Sequence, residues 1–204
     1  MVAASAVLSA QAFAAGNSSQ LTILGNVTDT GESCNVTPAA LIQGGSLTLD
    51  DVKASILEGQ GINTPYMALA KDIEYKIEDC QKGSSAYTGN LNVTVTGDYI
   101  SGQDDILTNT AVNPATNAAV TVVNTDGSRV SFTGTTAKTI AYTAGTPSYM
   151  RYKAAYVKTA NGVTDGAVKG VATFTISYYC PMGFAIDGKP HSYYSGNELC
   201  SSHY

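Results

Sequence analysis

The residues of this chain most able to bind a metal ion or to react are its four cysteines and two histidines, and they fall into two groups. Cys34 and Cys80 stand in the first half of the sequence, and neither has another Cys or His at the short spacing that zinc sites use. The second group lies near the C-terminus and consists of Cys180, His191, Cys200 and His203. Histidine chemistry would therefore have to come from the C-terminal tail alone.

The rest of the sequence offers no catalytic pattern. It contains no G-x-S-x-G nucleophile turn, no H-E-x-x-H metal helix and no glycine-rich phosphate loop. The adjacent carboxylates, Asp50 with Asp51 and Asp104 with Asp105, are more typical of solvated turns than of acid–base machinery. We therefore expect no catalytic residue, no cofactor and no enzymatic activity.

The composition predicts an all-β fold. Only 13% of the residues are charged, against roughly 25% in an average globular domain. The polar residues are mainly Thr, Ser, Asn and Gly, which favour strands and turns, and 44% hydrophobic residues suffice for a packed core. A net charge of −5 without any Lys/Arg cluster disfavours nucleic acid and anionic membranes as partners.

Alternation of apolar and polar residues locates the strands that must position any site. In residues 18–29, Leu21, Ile23 and Val27 share one face, which is the period-two pattern of a half-buried strand. Similar short runs cover residues 34–36, 46–57, 72–80, 91–99, 120–132, 149–157 and 166–179. Seven or eight such strands predict an antiparallel sandwich, although periodicity alone does not distinguish it from a barrel.

Three connecting segments carry their own signals. Asp126-Gly127, between two apolar runs, predicts a hairpin turn. Residues 104–117 are polar and contain Pro114, so we expect a loop there. Residues 53–58 are expected to form a brief helical turn.

The first residues have the character of an export signal. Residues 1–14 are apolar and small, and they end in Ala12-Phe13-Ala14, which satisfies the A-x-A rule of signal peptidase. Because no basic residue precedes the apolar run, we expect the true signal peptide to start upstream. Export would place the cysteines in an oxidising compartment, where disulfides persist.

Several of these segments, taken in order, resemble the major-type pilins of chaperone–usher fimbriae. The alternating N-terminal run leads into Gly25-Asn26-Val27 a few residues before Cys34, and Cys80 closes the strand that follows. The last two strands of the family are similar to residues 152–157 (YKAAYV) and 166–178 (GAVKGVATFTISY). The resemblance covers residues 16–179.

This resemblance implies an incomplete immunoglobulin-like antiparallel β-sandwich that lacks its last strand. In the family a periplasmic chaperone fills the resulting groove temporarily, and the N-terminal extension of the next subunit then replaces the chaperone strand. The domains expected on this basis are a signal peptide (1–14), a donor-strand extension (15–33), the pilin domain (34–179) and an atypical C-terminal extension (180–204). The residues expected to enter the neighbour's groove are Leu21, Ile23, Gly25 and Val27.

The donor segment fits that task physically. Three aliphatic side chains on one face contribute roughly 5–8 kcal/mol in gross terms when buried, and Gly25 matches the small residue that the family places where the groove is shallow. Leu24 is an imperfection on the opposite, polar face. The alternative is that residues 18–29 are an edge strand of their own domain, with Gly25 marking a bulge.

The family's disulfide would join Cys34 to Cys80. The tail after Tyr179 departs from the family pattern and leaves three explanations open. It forms a second disulfide between Cys180 and Cys200, it results from a lost or misread stop codon, or it builds a metal site with its two histidines.

The function expected from the resemblance is that of a structural shaft subunit that polymerises for cell adhesion. Its partners would be identical or homologous pilin subunits, a periplasmic chaperone, an outer-membrane usher and, in some shafts, a host receptor. The chain would pass through the periplasm to a fimbrium on the bacterial surface. The alternatives are a minor or adaptor subunit, a receptor-binding subunit using a Tyr-rich loop at residues 142–152, or another secreted immunoglobulin-like binding domain.

Overall fold

The computed structural model describes residues 19–26, 32–178, 193–195 and 198–200, and most of these residues are in strands. One short helix, α1 (Ala54–Glu58), interrupts them. Within the described ranges no helix is both long and apolar enough to cross a membrane. The earlier strands are β1 (Ser19–Asn26), β2 (Glu32–Pro38), β3 (Ile42–Gln43), β4 (Ser46–Leu49), β5 (Pro65–Lys82), β6 (Ser85–Ala86) and β7 (Gly89–Gly97). The later strands are β8 (Tyr99–Ile100), β9 (Gln103–Leu107), β10 (Ala118–Asn124), β11 (Thr133–Tyr142), β12 (Ser148–Lys158), β13 (Lys169–Tyr178), β14 (Tyr193–Ser195) and β15 (Glu198–Cys200).

Two sheets form a sandwich. The first has the strand order β11-β7-β13-β1-β4-β3, and the second has the order β2-β5-β12-β10-β9-β8, with β6 beside β5. Strands β14 and β15 pair only with each other among the described residues. Most neighbours run antiparallel, whereas β1 and β13 run parallel.

The core lies between the sheets, and the alternation of buried and more exposed residues is clearest in β7 and β13. Every second residue of β13 from Gly170 to Tyr178 is buried, and Leu91, Val93 and Val95 of β7 follow the same rule. Residues of β5 from the second sheet belong to the same buried cluster. Burial also raises the pKa of Tyr75 and of Tyr152 to about 12, since a phenolate is poorly solvated there. Both hydroxyls therefore stay protonated at any physiological pH.

The sandwich and two of its connections confirm the sequence predictions. Residues 53–58 contain α1, as expected. The Asp126-Gly127 turn is also present: the Asn124 N–H donates to the Ser128 carbonyl at 2.8 Å, and the Gly127 N–H donates to the Asn124 carbonyl at 3.0 Å. The chain then returns beside β10 through a bridge between Val123 and Arg129.

Two boundaries differ from the predictions. The expected loop at residues 104–117 begins inside strand β9, because Ile106 and Leu107 are fully buried and Leu107 pairs with Val120 and Tyr99. The run at residues 46–57 divides into β4 and α1, because only Leu47 and Leu49 keep the alternating burial.

A disulfide joins Cys34 of β2 to Cys80 of β5, as the resemblance implied. The Tyr178 hydroxyl donates to the carbonyl oxygens of Gln81 (2.7 Å) and Ser33 (3.0 Å), and it lies 3.5 Å from the Cys34 sulfur. The end of β13 is thereby fastened to the start of β2 and to β5. Residues 1–14, with the expected signal peptide, lie outside the described residues.

Replacing both Cys34 and Cys80 by alanine is expected to lower the free energy of unfolding by about 4 kcal/mol, because the loop between them no longer restricts the unfolded chain. Guanidinium denaturation of the variant and the oxidised wild type measures the difference. Reduced wild-type protein is the matched control and should unfold like the variant. Equal midpoints for the variant and the oxidised protein would show that the bond contributes nothing.

Candidate functional site

The candidate site is a groove in the first sheet that runs between β13 and β4 and contains β1. Residues 20–26 of β1 pair in parallel with Lys169–Thr175 of β13, and residues 19–22 pair antiparallel with β4. The segment expected to be a donor strand therefore lies in the interior of its own sheet. It is not the edge strand of the alternative interpretation, and a strand donated between subunits remains a proposal.

Leu21 anchors β1 in the groove. Its relative exposure is 0%, and its register partners are Gly170 on β13 and Leu47 on β4. It belongs to the same buried cluster as Leu107 and Val120 of the opposite sheet. Full burial of a leucine side chain contributes about 1.5–3 kcal/mol.

The other expected donor residues are placed by register alone. Ile23 pairs with Ala172, and Gly25 pairs with Phe174. Ile23 therefore stands beside a small residue of β13, whereas Gly25 stands beside a large aromatic one. Val27 lies outside the described residues.

A leucine from the second sheet fixes the floor of the groove. A Cβ added to Gly170 would lie 2.8 Å from Leu107 Cδ1, and one added to Gly97 of β7 would lie 2.7 Å from Leu107 Cδ2. Both distances are shorter than van der Waals contact, so Leu107 occupies space that side chains at both glycines would need. Sequence reasoning missed this feature, although an isolated glycine within the alternating run of β13 signals close approach.

Asn109 holds the end of the groove where β13 begins. Its side-chain oxygen accepts the N–H groups of Lys169 (2.9 Å) and Ala111 (3.2 Å). Its amide nitrogen donates to three carbonyl oxygens, those of Ala167 (3.0 Å), Ala115 (3.3 Å) and Ala118 (3.3 Å). One side chain therefore ties residues 109–118 to the start of β13. No local sequence pattern distinguishes this asparagine from the others in the same polar segment.

Glu58 and Lys158 stabilise the same end of the sandwich. Lys158, which is 5% exposed, donates to the Glu58 carbonyl at 2.6 Å. The Glu58 carboxylate accepts the N–H groups of Val163 (2.9 Å) and Gly162 (3.1 Å), and these two bonds hold its pKa below the usual value. The carboxylate therefore stays ionised and keeps α1 fastened to residues 161–163.

No catalytic arrangement accompanies the groove in the part of the chain that the structure describes. That part contains no cluster of three His, Cys, Asp or Glu residues able to hold a metal ion. The expected Cys180–Cys200 disulfide, and the alternative metal site with His191 and His203, lie outside the described side chains. In the segment expected to be an exposed Tyr-rich loop, residues 143–147 connect β11 to β12 and Tyr149 is 40% exposed, whereas Tyr142 and Tyr152 are each 2% exposed. Receptor binding through this segment stays a prediction.

Solved structures with this architecture are subunits of chaperone–usher pili. The P pilus rod subunit PapA aligns with 72% of this chain and 99% of its own, with a TM-score of 0.54 and 24% identity. A chaperone–usher pilus studied for its rod uncoiling aligns with 76% of this chain and 91% of its own, with a TM-score of 0.55 and 23% identity. These likenesses establish the immunoglobulin-like pilin fold.

The sequence comparisons give the family. A family model described as fimbrial protein matches residues 21–179, and this chain belongs to that family. The F7-2 fimbrial protein of Escherichia coli is 32% identical over 138 residues, which are 65% of this chain and 72% of that protein. The S-fimbrial protein subunit SfaA, also from Escherichia coli, is 32% identical over 106 residues, which are 50% of this chain and 56% of that protein. The chain is a fimbrial subunit, and such subunits are structural components of surface pili.

Proposed function

We propose that this chain is a shaft subunit of a surface fimbria, and that it polymerises when β1 of one copy enters the groove between β13 and β4 of another. The observation that carries the proposal is that a segment joined to the domain only through residues 27–31 fills an interior position of the first sheet. A strand held in this way is replaceable by the same strand from a second copy.

The short connection explains why β1 runs parallel to β13 in its own domain. Asn26 pairs with Thr175, close to Tyr178, which in turn contacts Ser33 at the start of β2. If β1 ran the other way, Asn26 would lie beside the start of β13, and the 10 residues of β13 span about 30 Å. Residues 27–31 extend over about 20 Å at most. The segment therefore cannot reach the antiparallel orientation in its own groove.

A strand from a second copy is free of that constraint. A donated strand in the reversed orientation would pair antiparallel with β13 and parallel with β4. The ladder with β13 is the longer of the two. Antiparallel pairing is slightly more stable per residue. Donation of β1 between copies therefore replaces the parallel ladder with β13 by an antiparallel one, which is the more favourable of the two. It also completes the sandwich as an immunoglobulin-like fold.

The remaining steps of the pathway follow from this proposal. A chain whose groove accepts foreign strands needs protection before assembly, and a periplasmic chaperone that donates a strand would provide it. An outer-membrane usher would then order the exchange and deliver the fibre to the cell surface. These partners, and the passage through the periplasm, are part of the proposal for this chain.

Gly25→Leu is expected to leave a domain that folds with its chaperone but to stop fibre growth, because the resemblance places this small residue where the family's groove is too shallow for a large side chain. Electron microscopy of the bacterial surface and the yield of sheared fibres measure the outcome. Asn26→Leu is the matched control, since the alternation of the segment places residue 26 on the opposite face, and it should assemble. Normal fibres from Gly25→Leu would refute the assignment of the donor strand.

A further inference from the structure

One end of the sandwich carries three of the seven exposed large apolar side chains among the described residues, including the most exposed one. Val112 is 86% exposed, Ile62 49% and Ile56 43%, and we call these three residues the exit surface. All three lie where β13 begins. Val112 belongs to the segment tied to Ala167 and Lys169, Ile62 bridges to Lys158 at the end of β12, and Ile56 lies in α1 next to Glu58.

Two residues of the exit surface, Val112 and Ile56, flank the end of the groove. β1 lies between β13 and β4, the segment with Val112 is bonded to the start of β13, and α1 with Ile56 begins shortly after β4 ends at Leu49. A strand that enters the groove antiparallel to β13 must leave it between these two elements. Exposed apolar side chains thus stand on both sides of the exit.

The rest of a donating copy has to lie close to this exit. Residues 27–31 span about 20 Å at most, and after them the donor's own β2 begins at Glu32 and is fixed by the Cys34–Cys80 disulfide. The folded body of the donor therefore starts within that distance of the acceptor's exit surface. Its nearest part is the end of its sandwich that holds Glu32 and Lys82, which pair with each other.

We propose that the exit surface is the docking site for the body of a second copy of this chain, a head-to-tail contact that supplements the exchanged strand. This inference rests on the proposed strand exchange. The contact is heterologous, because the end near Lys169 on one copy meets the end near Glu32 on the next. Such contacts build an open filament when the rotation between successive copies does not close a ring. An apolar contact of this kind would stiffen the fibre and slow its dissociation.

The acceptor side is prepared for such a contact. Asn109 makes five hydrogen bonds that hold residues 109–118 to the start of β13, and the Ala115 and Ala167 N–H groups add bonds to Ala167 and Asn113. Val112 is therefore presented on a segment fixed at both ends. A rigid apolar contact binds with a smaller loss of conformational entropy than a mobile one.

The test compares two processes in the full-length chain. The first is uptake by the monomer of a synthetic peptide with the sequence of residues 18–29, which offers a donor strand without a body. The second is dissociation of assembled fibres in guanidinium. Val112→Asp is the test variant and Val112→Ser a milder one, while Tyr149→Asp is the matched control, since Tyr149 is 40% exposed on β12, in the sheet opposite the groove.

Val112→Asp is expected to speed fibre dissociation about tenfold, the effect of losing one well-placed contact residue, and to leave peptide uptake unchanged. Val112→Ser should show a smaller effect in the same direction, and Tyr149→Asp none. If the Val112 variants form fibres as durable as the wild type while the peptide is still taken up, the docking site is refuted and strand exchange stands. If the wild type neither takes up the peptide nor forms fibres, strand exchange fails and the docking site with it.

Discussion

Leu21→Asp is expected to release β1 from its own groove and to abolish fibre formation. Leu21 has no exposed surface and belongs to the core cluster that joins both sheets. The substitution removes about 1.5–3 kcal/mol of apolar burial and would place an ionised carboxylate in an apolar site, which costs several kcal/mol more. The ladder of a single short strand cannot offset a loss of that size.

Two measurements separate the effects of this substitution. Hydrogen exchange of the monomer should show faster exchange of β13 amides that face β1, and electron microscopy should show no fibres. Thr22→Asp is the matched control, because alternation places residue 22 on the opposite face of the segment, and it should behave like the wild type. Unchanged protection of β13 in Leu21→Asp would mean that residue 21 does not hold the strand in the groove.

Lengthening the connection after β1 is expected to stop assembly in a different way. An insertion of about ten Gly and Ser residues after residue 28 makes the connection long enough to span β13. The insertion costs little stability, because each doubling of the length of a flexible loop costs only about 0.6 kcal/mol. The segment can then turn round in its own groove and form the antiparallel ladder with β13 within one chain. The product should be a monomer at least as stable as the wild type that forms no fibres.

The insertion has a clear control and a clear contrary result. The same Gly/Ser segment inserted after Gly145, in an exposed turn between β11 and β12, should leave assembly intact. Guanidinium denaturation and sedimentation report the stability and size of each product. Fibres from the insertion after residue 28 with wild-type yield would contradict the argument that the short connection forces exchange between copies.

The sequence predicted the parts of this molecule that depend on local pattern. Alternation located β5, β7 and β13, because one face of each strand lies on the core and the other on solvent. The same signal located β1, since a strand that fills a groove must also be apolar on one face. Periodicity contains no information about which strands pair, so it could not place β1 parallel to β13 in its own sheet.

The parts that escaped prediction depend on distant contacts. Asn109 positions the end of the groove through bonds to residues as far away as Lys169, and an isolated asparagine in a polar segment carries no sign of that role. Strand β9 was missed because Asp104 and Asp105 precede the two buried residues that define it. Gly170 was visible in the sequence as an interruption of the apolar pattern of β13. A glycine is needed there because Leu107 of the second sheet approaches closely, and the sequence does not show which strands face each other.

The most direct test of the account asks whether β1 and β13 of different copies touch in the fibre. Copies labelled with heavy isotopes are mixed with unlabelled copies, assembled and chemically cross-linked, and the peptides that join β1 to β13 are identified by mass spectrometry. Strand exchange predicts pairs that combine a heavy with a light peptide in fibres, whereas unassembled monomers give pairs of one label only. Fibres in which every such pair carries a single label would contradict strand exchange.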